Sequence, residues 1–423
     1  MRFVVLLVTI FFISELVTPP VALAQAASQE AVRLEALVSE AKAQNLNLLA
    51  ARKRWEGAQA NVAKATGLPA PRLGVEFEEI PRGTIKINQA TVMYQLIQAI
   101  PFPGKLSLRR QVALKEAQMA AMAFKQTEWD VVNQLTSAYY ELWLNEREEQ
   151  LQQEQQFWLR QLAGVSQARY ANGAASQAEP LRAHSDLLEA SNAVAVLAHR
   201  REMLTAHLNH LLNRAIDASF GNPETPLLSF VSFTPAELTL LAQERQPELL
   251  AFRFSMERAD ASWKLAKREL LPDLETMFEL RDPAAGPIGP WDLSLAVVIP
   301  FWFWTKLQYG VKVAVRDKES AIAAYQAMRS EVARRIEEHW HEGFAAYATA
   351  KLCQESLIDL ARQAARSAMA AYQSGRGSYM DVLESVRALG ERQRTYAQHL
   401  VALRQHLAML EQAVGEQLVP RTE

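Results

Sequence analysis

Three carboxylates carry the most suggestive chemistry in the chain. Asp381 and Glu384 sit three residues apart in "YQSGRGSYMDVLES", which starts at Tyr372, and Glu179 holds the place of Asp381 in "YANGAASQAEPLRA", which starts at Tyr170. On a helix, an i,i+3 spacing puts Asp381 and Glu384 on one face. Gathered carboxylates repel anions, concentrate cations and offer oxygen ligands to a divalent ion. They also share protons, so they titrate as a cluster. A plainer reading stands beside this one. Gly173 and Gly375 supply the left-handed residue that reverses a helix. Ser176 and Ser378 stand at N-cap positions with an acid three residues on, the pattern of a capping box. That turn accounts for Glu179 with no function attached, and accounts less well for Asp381 and Glu384 together.

No catalytic constellation emerges elsewhere, and no cofactor or metal-ligand set is read. Paired cysteine spacings, H-E-x-x-H and G-x-S-x-G are missing, and Gly104-Lys105 lacks the upstream glycine of a phosphate loop. In "HWHE", His339 and His341 are two apart on a helix and face different directions, which reads as a solvated surface. His207 and His210 share a face but have no third ligand in view. The chain is therefore not expected to be an enzyme.

Composition bounds the remaining classes. The 423 residues are 49% hydrophobic and 22% charged, and 45 Lys and Arg balance 47 Asp and Glu for a net charge of -2. A field that would draw a nucleic acid is absent. Cys353 is the only cysteine, so the chain has no internal disulfide. Arg2, the apolar run "FVVLLVTIFFI", Pro19-Pro20 and Ala22-Leu23-Ala24 follow the order of a secretory signal, with cleavage expected after Ala24.

The mature chain is a tandem repeat. Residues 47–78 align with residues 248–279 at a constant offset of 201, matching Leu48/Leu249, Arg52/Arg253, Pro71/Pro272 and Phe77/Phe278 among others. "AIPFPGKL" at Ala99 parallels "VIPFWFWTKL" at Val298, and the Tyr-x-x-Gly tips fall at an offset of 202. We assign residues 1–24 to the signal, 25–222 to repeat 1, 223–233 to a linker and 234–423 to repeat 2.

Each repeat changes periodicity in the same order. A helix is expected from about Glu30 to Thr66, stopped by Gly67-Leu68-Pro69. Alternation such as Leu73, Val75 and Phe77 against Gly74, Glu76 and Glu78 then marks strands at about 72–80, 90–100, 273–282 and 291–301. Leu293, Leu295, Val297 and Ile299 form an apolar stripe opposite Asp292, Ser294 and Ala296. A four-stranded ribbon leaves unpaired backbone at both edges, so in lipid it must close into a barrel with other copies. The alternative is a small soluble sheet packed on a helix. From Lys105 to about Ala171 there is no proline, which supports a helix about 100 Å long. It turns at Gly173 and returns from about Ser176 to Leu212, and repeat 2 repeats the hairpin from Lys306 through Gly375 to about Glu416.

This order of helix, strand pair, "IPF(P)GK"-like turn, long helix, "Y-x-x-G-x-x-S-x-x-[DE]-x-L" tip and return helix resembles the TolC family of outer membrane efflux ducts. "QAIPFPGK" at Gln98–Lys105 is similar to the branch paired with metal-ion and drug exporters of the resistance-nodulation-division (RND) type. The resemblance implies a mainly α fold with a membrane β-barrel: a homotrimer with a 12-stranded barrel in outer membrane lipid and a 12-helix periplasmic tunnel. It implies a passive exit duct for small molecules or metal ions, served by a periplasmic adaptor and an inner-membrane pump. It places adaptor contacts at the tips, on Tyr170, Gly173, Ser176, Tyr372, Gly375, Arg376 and Ser378, and a periplasmic gate at Glu179, Asp381 and Glu384. Gly377 departs from the basic or polar residue that locks the closed tip in relatives, a role Arg376 or Arg182 would have to take. The aromatic run Phe301–Trp304 reads as a belt at the barrel rim. A soluble periplasmic hairpin scaffold or adaptor is the competing reading.

Overall fold

Neither repeat opens with one continuous helix. The computed structural model describes residues 32–78, 90–281, 290–300 and 306–418, and it divides the helix expected over 30–66 into α1 (Leu34–Gln44) and α2 (Leu46–Thr66). Asn45 makes the break. Its backbone is extended, its side chain accepts the amides of Asn47 and Leu48, and its Nδ2 donates to the Leu211 carbonyl at 2.9 Å. Gln246, 201 positions on, divides α5 (Pro235–Arg245) from α6 (Pro247–Arg268) and caps the Leu249 amide. Pro247 follows as the first residue of α6, where a helix needs no N–H.

The strands are β1 (Arg72–Glu78), β2 (Thr91–Ile100), β3 (Asp273–Arg281) and β4 (Trp291–Val298). They form one antiparallel sheet in the order β1-β2-β3-β4, so the repeats join at β2 and β3, and β1 and β4 are its edges. The register Leu73↔Leu96↔Phe278↔Leu293, with Val75↔Tyr94↔Leu280↔Trp291, places the apolar residues on one face. That face is uncovered: Leu73 is 84% exposed and Leu295 69%. The opposite face carries Glu76 and Glu279 around Gln95, an Arg72–Glu275 pair at 3.1 Å and an Arg281–Asp292 pair at 3.0 Å. Residues 79–80, 282 and 301, at the ends of the expected strands, lie outside the described residues, as do the signal segment and the Phe301–Trp304 run. β4 stops at Val298, short of Pro300, which has no N–H for a ladder.

The helical body hangs from this sheet. α3 spans Lys105–Ala171 and α4 returns over Ala178–Leu211. In repeat 2, α7 (Gln308–Leu352) passes through a π-helical turn at Cys353–Leu357 into α8 (Ile358–Gln373), and α9 returns over Tyr379–Val414. The sequence reading treats the outgoing leg of repeat 2 as one helix; the π turn shifts its register by one residue at the buried Cys353. α3 is the spine, packing on α2, α4, α6 and α9. One apolar cluster gathers α1, α3, α4 and α9 around Leu135, Tyr139, Leu142 and Leu208. A second fills the tips, and a third joins α5, α7 and α9. Among the described residues, no helix is long and apolar enough to cross a membrane.

Lys105 secures the corner where the sheet becomes helix. It is 2% exposed, and its Nζ donates to the Leu271 carbonyl and to Asp273 Oδ1, both at 2.8 Å, while the Phe102 amide donates to the same oxygen at 2.7 Å. Gly104 enters α3 at φ 96°, where an added Cβ would meet the Arg268 guanidinium at 3.2 Å. Lys105→Met should strand the Leu271 carbonyl and cost about 1–3 kcal/mol, measured as earlier thermal loss of helical circular dichroism in detergent. An unchanged transition would show that the corner stands without its lysine.

Candidate functional site at the hairpin tips

Both tips are built by the same backbone device. Gly173 and Gly375 are left-handed at φ 71° and 78°. At the first tip the Ala174 amide donates to the Arg169 carbonyl and the Gly173 amide to the Tyr170 carbonyl; at the second, Arg376 donates to Ala371 and Gly375 to Tyr372. These pairs are the two bonds of a Schellman stop, which satisfies the last carbonyls of the outgoing helix. Gly377 is required by packing: a Cβ there would lie 3.1 Å from the Tyr372 nitrogen and 3.2 Å from the Ala371 Cβ. A larger residue at 377 would push the tip open.

The return helices start differently. Ser378 caps α9 in a complete capping box: its Oγ accepts the Asp381 amide at 3.1 Å, and its own amide donates to Asp381 Oδ2 at 2.9 Å. Ser176 does not cap α4, which begins after Gln177 without a side-chain cap. The reason is Glu179. Its carboxylate turns to the other hairpin and accepts the Tyr372 hydroxyl at 2.6 Å, so it does not fold back on its own helix.

That contact belongs to a larger one. Arg169, on α3, donates to the Tyr372 carbonyl at 2.6 Å and to the Ala174 carbonyl at 3.4 Å, and lies 4.6 Å from the Tyr372 ring centroid. One turn inward, the Tyr379 hydroxyl donates to Asp186 Oδ2 at 2.9 Å, and Arg387 pairs with Asp186 Oδ1 at 3.0 Å. Burial, and then the bond to a carboxylate, push both tyrosines above the usual phenol range, so they stay protonated donors. Within the chain, the hairpins are tied by Arg169, Tyr372, Tyr379 and Asp186. Arg376 instead turns to Ser374 Oγ in its own tip, and Arg182 is exposed.

The three acids thus part company. Glu179 is held by Tyr372, Asp381 is engaged by Ser378, and Glu384 stands exposed one turn along the same face of α9. The bond from the Ser378 amide, and then from its side chain, hold the Asp381 carboxyl below its usual range. A depressed acid stabilises the fold above its unfolded value, about 3.9, and that contribution goes as pH falls through the lower folded value. The first turn of α9 should therefore keep its amide-exchange protection down to mildly acidic pH and lose it only as pH falls through that lowered value. In Asp381→Asn the low-pH loss should vanish; if it persists, another group controls it.

The tyrosines also differ. Tyr372 is 1% exposed and Tyr170, its counterpart, 40%. Sequence reasoning had marked both, along with Gly173, Gly375 and Ser378, but missed Arg169, Asp186, Tyr379 and Arg387. Their partners lie about 200 residues away, so spacing along the chain carries no sign of them.

Comparison with known proteins agrees with this architecture. The chain is 24% identical over 364 residues to the cobalt-zinc-cadmium resistance protein CzcC of Cupriavidus metallidurans, covering 84% of this chain and 83% of that one. Its fold matches the outer membrane protein VceC of Vibrio cholerae with a TM-score of 0.78 at 18% identity, over 91% and 97% of the two chains. It also matches CusC, solved in a study of transmembrane channel formation, with a TM-score of 0.77 at 16% identity over 90% and 92%. The pattern of one family covers residues 37–214 and 238–416, a stretch in each repeat, and the chain belongs to that family, the outer membrane efflux proteins.

Proposed function

We propose that the chain is the outer membrane channel of a tripartite efflux system. Three copies close a 12-stranded barrel in the outer membrane, and their hairpins line a duct through the periplasm. The chain arrives by a signal cleaved after Ala24. It is a passive duct rather than an enzyme, and the soluble scaffold falls away with family membership. The observation that carries the reading is the sheet: an uncovered apolar face, a polar opposite face and two open edges, mounted on helices about 100 Å long. In lipid such edges must pair, and β1 of one copy meeting β4 of the next pairs them all.

The repeat itself supports threefold assembly. Tyr372 of repeat 2 meets Glu179 of repeat 1 inside the chain. Shifted by 202 residues, the same contact becomes exposed Tyr170 meeting Asp381 of a neighbouring copy. The tips, from Tyr170 to Ser176 and from Tyr372 to Ser378, then face a periplasmic adaptor that couples the duct to an RND-type pump. Three copies of Glu179, Asp381 and Glu384 form the acidic gate. The relation to CzcC favours metal ions as cargo, with small molecules next.

The test is to express the chain with its own signal in a Gram-negative host, extract the outer membrane in mild detergent and weigh the particle. A trimer is expected, and in planar bilayers Asp381→Ala with Glu384→Ala should weaken block by divalent cations. A soluble monomer would overturn the channel; unchanged block would remove those acids from the gate alone.

A further inference from the structure

Far from the tips, α7 and α9 bring two histidines and a carboxylate together. His339 and Glu342 are i,i+3 on α7, and His406 faces them from α9. Their donor atoms all lie within 4.8 Å of one another. His406 Nδ1 is 3.2 Å and His339 Nδ1 3.8 Å from Glu342 Oε2. Ligands about 2.0–2.1 Å from a tetrahedral ion stand about 3.4 Å apart, so two of the three edges already bracket that value.

Two further features point to an occupant. The Nδ1 atoms of His339 and His406 are both buried, and neither has a partner in hydrogen-bond geometry, although both lie within ion-pair reach of Glu342 Oε2. Buried polar nitrogens are nearly always satisfied, and a cation between these two and the shared carboxylate oxygen would satisfy both. The surroundings are also closely packed. At Gly343 a Cβ would press on the Phe230 ring at 3.2 Å and come into ordinary contact with the His406 Cβ at 3.5 Å. Phe230, Trp340 and Phe344 pack edge-on and stacked beside it, an aromatic wall on one side. Glu342 is half exposed and leaves a route in from solvent.

We propose that His339, Glu342 and His406 form a binding site for a divalent transition-metal cation on the body of the helical duct. Two imidazoles and one carboxylate select the zinc, cobalt, nickel and copper group over magnesium or calcium, which take oxygen ligands. Three protein ligands leave a fourth position for water or another donor. The site joins α7 to α9 and stands independently of what the duct exports. The sequence reading set His339 and His341 aside as a solvated surface facing different directions; His341 is indeed exposed, 3.4 Å from Glu337, whereas His339 is largely buried against α9.

Tag-free protein in detergent, stripped with a chelator and titrated with cobalt(II), provides the test. One equivalent per chain should produce the intense visible absorption of a low-coordinate cobalt site, and zinc should displace it. His339→Gln and His406→Gln should each weaken binding at least about tenfold, while His341→Gln should not. X-ray absorption of the zinc-loaded unmodified protein needs no variant and should count two imidazoles on the metal. A shell of oxygens alone, no cobalt band, or parental affinity in either ring variant would overturn the site.

Discussion

Tyr372→Phe is expected to loosen the two hairpin tips from each other while leaving each hairpin folded. The change keeps the buried ring and the Arg169 contact but deletes the hydroxyl that donates to Glu179 at 2.6 Å. A hydrogen bond to a charged acceptor contributes about 1.5–3 kcal/mol, so the balance between joined and parted tips should move by about tenfold or more per chain. In planar bilayers this reads as higher mean conductance, and in amide exchange as lost protection at 170–180 and 370–380. Arg169→Ala should act in the same direction by freeing the Tyr372 carbonyl. Because both residues serve one contact, the double variant should fall short of the sum. Full additivity would mean that the two bonds hold different things, and an unchanged exchange pattern would mean that the tips are held elsewhere.

The second large effect is expected at Tyr139, near the root of the helices. Its hydroxyl donates to the Val32 carbonyl at 2.6 Å and accepts the Glu224 amide at 2.7 Å, and Val32 in turn donates its amide to the Asn222 carbonyl at 2.8 Å. One buried phenol thus fastens the entry of repeat 1 to the segment between the repeats. Tyr139→Phe fills the same space but orphans a partly buried carbonyl and a partly buried amide, together at about 1–3 kcal/mol. The detergent-solubilised variant should unfold several degrees earlier, and a protease should cut first between residues 213 and 234. A variant that melts with the parent and resists cleavage would show that the junction does not depend on this hydroxyl.

The extent of α3 was readable because the stretch from Lys105 to Ala171 carries no proline and turns at a glycine with φ 71°. The strands were readable from alternation, and the tips from a motif that occurs twice. The helix breaks at Asn45 and Gln246 were missed although they sit at equivalent places. Each is a single capping side chain inside a run whose periodicity continues across it. Ser176 looked like Ser378 in sequence and failed as a cap because a tyrosine from the other repeat claims the acid that would complete the box. Arg169 and His406 were invisible for a related reason. An arginine or histidine on a long charged helix resembles its solvated neighbours until the facing helix is known.

The open edges of the sheet also determine how such a protein must be made. The helical body has its own apolar clusters and can settle within one chain. The sheet is left with β1 and β4 as open edges, which in the proposed trimer acquire their partners from other copies. In that assembly, closure of the sheet's edges is a product of encounter, and its yield rises steeply with the local concentration of finished chains. Until then each copy of the proposed channel would carry a four-stranded flap with two open edges. Cells that make it slowly or sparsely should accumulate folded stalks bound to holdase chaperones before any pore exists.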